Sequence, residues 1–178
     1  MRGAVLTLFS VFGRICLLRI GPQDLPRSTA LLLAATLANA SFSLLIYQLE
    51  APFPAALFKA LLKALLEVAV LYTLTYALLF LMSYGRRFVQ TMTALMGSGA
   101  ILGAVALVTM LLAPVLPAQL GLAMLRVNFL LNLLIIAHVL RHAVGTFFLV
   151  GLLFAFGYAL LLNKFFRFAD ALLGLGPT

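Results

Sequence analysis

ALLKALLEVAVLYTLTYALLFLMSY (60–84) decides how this chain must fold. Only Lys63 and Glu67 in it carry charge, and neither Gly nor Pro interrupts it. It exceeds the roughly 20 apolar residues that cross a bilayer core as a helix. Working outward, comparable stretches occupy 28–49, 91–113, 116–140 and 143–162. The breaks are EAPFP (50–54), YGRR (84–87), APVLPAQ (113–119) and a polar hinge at Arg141-His142. Prolines and paired charges of this kind end apolar helices. The expected fold is an all-α polytopic membrane protein, with five transmembrane helices forming one bundle over 28–162 and a short tail at 163–178.

Composition agrees. Of 178 residues, 65% are hydrophobic and 9% charged, and the mean hydropathy is +1.21. Soluble domains carry about a quarter charged residues, so the outside of this bundle has to be lipid. The net charge of +8 fits head-group attraction, since no basic stripe with interleaved aromatics points to nucleic acid. The bilayer is therefore the first expected partner, with other membrane proteins or a second copy after it. Cys16 is the lone cysteine, so no intrachain disulfide and no Cys-based metal site can form.

Ahead of the first span, residues 4–20 are read as an amphipathic helix lying in the interface, ended by Gly21-Pro22, with Arg14 and Arg19 at the lipid phosphates. A very short sixth span is the alternative. LLLAATLANA (31–40) ends in a small-x-small pattern suited to a signal peptidase, but such a leader would be unusually long. Asn39 is read instead as a polar group inside the first span. Seven Lys and Arg (Arg2, Arg14, Arg19, Arg27, Arg86, Arg87, Arg141) fall on the N-terminal side of the bundle against four (Lys59, Lys63, Lys164, Arg167) on the other. Basic loops stay cytoplasmic, which predicts a cytoplasmic N-terminus with Arg86 and Arg87 contacting head groups, and an external C-terminus.

Polar groups at membrane depth are costly, and they are expected to satisfy one another. Glu67 and Arg126 come out level along their helices, which suggests an ion pair between the second and fourth spans, with Lys63 competing. Asn128 and Asn132 lie one turn apart with Asn39 at similar depth, and His138 falls near the same face. Glu67, Arg126, Asn39, Asn128, Asn132 and His138 are thus the expected intramembrane polar network. His138 and His142 alone make a poor metal site, and no cofactor is expected.

Span three contains GSGAILG (97–103), where Gly97, Gly99 and Gly103 make a nearly bare helix face suited to close packing, within the bundle or against another protein. The chain has only four carboxylates and none of the usual hydrolase, phosphate-loop or metalloprotease motifs, so it is not expected to be an enzyme.

At RRFVQTMTALMGSGAILG (86–103) and LRHAVGTFFLVGLLFAFGYALLL (140–162) the chain resembles bacterial members of the Yip1 family, small five-span membrane proteins. The resemblance implies a bacterial inner-membrane location with a cytoplasmic N-terminus and a periplasmic C-terminus. Eukaryotic relatives are associated with trafficking and prenylated GTPases, but here only IGPQDLP (20–26) stands before the first span, so that role does not carry over. The function expected is a non-catalytic scaffold or accessory subunit that binds partner membrane proteins and lipid. The alternative is a small-solute or ion transporter with a polar path along the fourth span.

Overall fold

The computed structural model describes residues 10–49 and 55–172, and within them every regular element is helical. Helix α1 covers residues 10–16. Helices α2 (Thr29–Gln48), α3 (Ala55–Leu81), α4 (Phe88–Leu112), α5 (Ala118–Val144) and α6 (Phe148–Leu172) follow. These last five are each long and apolar enough to cross a membrane. Their outward surfaces carry large apolar side chains such as Leu33, Leu65, Phe80, Leu149 and Phe168, as a helix facing lipid requires. The chain is a polytopic membrane protein.

Local chemistry sets the helix ends. The Ser28 hydroxyl accepts the Leu31 N–H at 3.2 Å and caps α2, satisfying one orphan donor of its first turn. The expected hinge at Arg141-His142 is absent: both residues lie in the last turn of α5, which stops at Gly145 (φ 73°). Cations favour a helix C-terminus, and glycine takes the left-handed cap at little cost. The last helix, expected to end at Leu162, runs on to Leu172, so residues 163–172 of the expected tail are helical. Residues 173–178 lie outside the described residues, as do 4–9 of the expected N-terminal helix.

Helix α1 differs from a helix lying flat on lipid. Phe12 and Ile15 are buried in the core, while Arg14 and Arg19 are exposed. Its apolar side therefore packs into the bundle. Burial pushes the Cys16 thiol up to about 11.

The five spans pack in the succession α3, α2, α4, α5, α6, and a sparser α6–α3 contact closes the ring. Helix α4 is the most enclosed, with residues 91–98 all buried. Its buried hydroxyls turn back on their own helix: Thr91 donates to Arg87 O at 2.9 Å, Thr93 to Val89 O at 2.7 Å, Ser98 to Ala94 O at 2.7 Å and Thr109 to Val105 O at 2.9 Å. Such bonds satisfy a hydroxyl without help from a neighbouring helix.

The glycine face of α4 is used inside the chain. A Cβ at Gly97 would overlap the Phe12 ring, one at Gly99 would meet the Asn39 carbonyl oxygen, and one at Gly103 would press on Phe42. Close approach of α2 and α4, with Phe12 of α1 in the first notch, depends on these positions lacking side chains. Gly151 serves α5 and α6 likewise, because a Cβ there would overlap the Ala137 carbonyl.

Candidate intramembrane binding site

Inside the ring lies a cavity of about 300 Å³ to which all five spans contribute. Its polar wall consists of Asn39 and Tyr47 from α2, Glu67 from α3, Asn132 from α5, and Tyr158 and Asn163 from α6. Leu71, Leu95, Leu133 and Ile136 supply apolar wall, and Gly99 lets the cavity approach the α4 backbone. Asn39, Gly99, Asn132 and Tyr158 sit near the middles of their helices. Glu67 stands 12 residues into α3, or about 18 Å from its start at 1.5 Å per residue. That is near the middle of α3.

Glu67 is the chemical centre. Its Oε2 accepts the Tyr47 hydroxyl at 3.0 Å, and Ser43 lies beside it. No Lys or Arg forms an ion pair with it among the described residues. Lys63, one turn along α3, instead joins Lys59 on Asp170 of α6, with Nζ–O distances of 3.8 and 3.1 Å respectively. The Lys63 ammonium also lies 5.8 Å from the Tyr47 ring centre and 5.5 Å from that of Phe166, and those two rings meet edge to face. The α3–α6 seam is thus pinned by charge at the end of the cavity where Tyr47 and Phe166 stand.

The expected Glu67–Arg126 pair does not form. Arg126 is exposed and has no ion-pair partner among the described residues. Two causes combine. Helix α5 packs chiefly on α4 and α6, so no extensive α3–α5 seam brings the two side chains together. Asn132 faces that cavity, and Arg126 lies six residues away, about 120° round the helix. Equal depth on two helices does not imply equal azimuth.

The rest of the expected network divides. Asn39 and Asn132 share the cavity with Glu67 but form no side-chain hydrogen bond among the described residues, so they do not tie helices together as expected. Asn128 is not part of the cavity wall, and its Oδ1 is buried without a partner among the described residues. His138 belongs to the other end of the bundle, where Nε2 lies 3.0 Å from the Ile20 carbonyl and its ring stands 4.6 Å from that of His142. This bond fastens the segment after α1 to α5.

Tyr47, Tyr158 and Asn163 were missed by the sequence reading. Asn163 fell in the expected tail, and tyrosines at membrane depth pass for aromatic packing. A signal was present: Tyr158 and Asn163, with Leu162 and Phe166, mark one stripe of α6 at helical spacing.

No family model, curated protein or solved structure matches the chain. Its chemistry has to be read from the cavity itself. A carboxylate, three amides and two phenols around about 300 Å³ offer hydrogen-bond acceptors to a small polar molecule, in the size range of ligand pockets.

Proposed function

We propose that the protein is a membrane-spanning carrier for a small cationic solute, an amine or related cation, held at Glu67 inside the five-helix ring. The observation that carries this reading is the position of Glu67: a carboxylate near the middle of a span, facing a polar cavity, with no protein cation to compensate it among the described residues. Ionisable groups at such depth are expensive and mark substrate pathways. A bound cation would supply the missing charge, while Asn39, Asn132 and Tyr158 bond its remaining hydrogens. The work done is binding and passage, not catalysis. We place the N-terminus on the cytoplasmic side, on the strength of the arginine excess at that end of the bundle; a bacterial inner membrane is the location that the resemblance to the Yip1 family suggests.

The test is binding by the purified full chain of a series of two- to five-carbon primary amines, compared with carboxylates of equal size, followed by uptake in proteoliposomes. Amines should bind the wild type and lose about tenfold or more in affinity with Glu67→Gln. Indifference to Glu67→Gln, or preference for carboxylates, overturns the proposal. The scaffold or accessory-subunit reading is supported by an apolar groove of about 540 Å³ beside α2 and α4, walled by Leu31, Ala34, Ala38, Ala104 and Val105. Recovery of a stoichiometric membrane-protein partner or a homo-oligomer from native membrane, together with failure of amine binding, would favour that second reading.

A further inference from the structure

The opposite end of the bundle holds a second polar site, built around the turn GPQDLPR (21–27). Pro22 and Leu25 are buried there against α4 and α5. Gln90 of α4 organises the turn: its Nε2 donates to Leu25 O at 2.6 Å, and its Oε1 accepts Arg27 Nε at 3.1 Å. One edge of the Arg27 guanidinium is thereby fixed, leaving its terminal N–H groups pointing elsewhere. Arg87 is held from the other side, donating to Ala143 O at 2.8 Å and stacking over the Tyr84 ring at 4.7 Å.

Between these two oriented guanidinium groups lies a cavity of about 410 Å³, walled by Gln23, Arg27, Arg87, Gln90, Thr91 and His142. A neighbouring cavity shares Arg27 and Arg87 and adds Arg86, Ser83 and Tyr84. Helix α4 begins here with no side-chain cap, so its positive end adds to the field. Arg141 stands against His142 at 3.3 Å. Asp24 is the one carboxylate in this turn, and its Oδ2 accepts the Gly21 N–H at 3.0 Å. Cations therefore outnumber the single acid, and the site lies where the spans end, at head-group level.

We propose that this pocket binds a phosphate monoester, with Arg27 and Arg87 as a two-sided clamp and Gln90 as the residue that orients Arg27. Oriented guanidinium forks suit the three oxygens of a phosphate monoester, and they gain more from its second charge than from the single charge of a diester. The same chemistry is offered by phosphatidic acid in the bilayer and by inorganic phosphate in the aqueous phase. A fixed pair of arginines differs from the diffuse attraction of any basic loop for anionic lipid.

The full chain in phosphatidylcholine nanodiscs provides the test. Binding is measured for inorganic phosphate added to solution, and for phosphatidic acid or phosphatidylglycerol doped into the disc. Phosphatidic acid bound at least tenfold more tightly than phosphatidylglycerol, with that preference lost in Arg27→Gln and partly kept in Arg27→Lys, supports the clamp and assigns it to lipid. Competition by inorganic phosphate at comparable affinity assigns it to the free anion. Arg87→Gln also removes a bond to the end of α5, so exposed Arg27 is the deciding position. Equal binding of the two lipids, or no change with Arg27→Gln, overturns the proposal. Glu67→Gln should leave phosphate binding intact, which separates this site from the solute cavity.

Discussion

The α2–α4 interface and the α3–α6 seam close the same ring by opposite means. At α2–α4, bare glycine positions receive Phe12, Asn39 and Phe42, and the contact is the most extensive among the described helices. At α3–α6 the helices touch sparsely, a polar cavity lies behind them, and Lys59 and Lys63 reach across to Asp170. Shape holds one side and charge the other. Without a hydrophobic force between helices in lipid, close backbone packing is what stabilises association. The side lacking it is the natural place for a binding volume.

The strongest way to break the contrast is to put the same side chain on both sides. Gly99→Leu would drive a branched chain into Asn39, and a loss of about 3 kcal/mol is expected from overpacking, measured as reduced membrane abundance and an earlier thermal midpoint in detergent. Gly157→Leu on α6 meets nothing within 4 Å and lines an apolar groove along the seam. It should be neutral, or stabilise by up to about 1 kcal/mol through helix propensity. Equal damage from both would mean that the seam is packed as tightly as the glycine face.

Asp170→Asn removes the negative charge shared by Lys59 and Lys63. The partly exposed pair should contribute only about 1 kcal/mol to stability, but the seam should loosen, seen as faster labelling of a cysteine introduced at Asn163 by a water-soluble maleimide. Unchanged labelling would show that the charges do not hold the seam. The smallest effect is expected at Ser83, where α3 ends with φ 62°. Ser83→Gly relieves a left-handed residue but adds unfolded-state entropy, a net gain of about 0.5 kcal/mol in thermal unfolding.

Span number and the glycine face were legible because both depend on composition along one helix. What was not legible depends on azimuth. Glu67 and Arg126 match in depth, yet α3 and α5 are not principal neighbours and Arg126 faces outward, and no single-helix pattern encodes which helices adjoin. Arg141 and His142 differ for another reason: in sequence their polarity resembles a break, although a helix C-terminus welcomes cations and Gly145 carries the stop signal. Asn163, Lys164 and Arg167 end the apolar run at Leu162 and fall in the expected tail, whereas α6 continues through them with Asp170 on the seam.

The hydroxyls of α4 set how that helix can move. Thr91, Thr93, Ser98 and Thr109 are already bonded to their own backbone, so a shift of α4 along its axis would rupture none of those bonds. Resistance to sliding comes instead from Phe12 and Phe42, lodged as detents against bare positions of the helix, and from Gln90, whose side chain latches its first turn to residues 21–27.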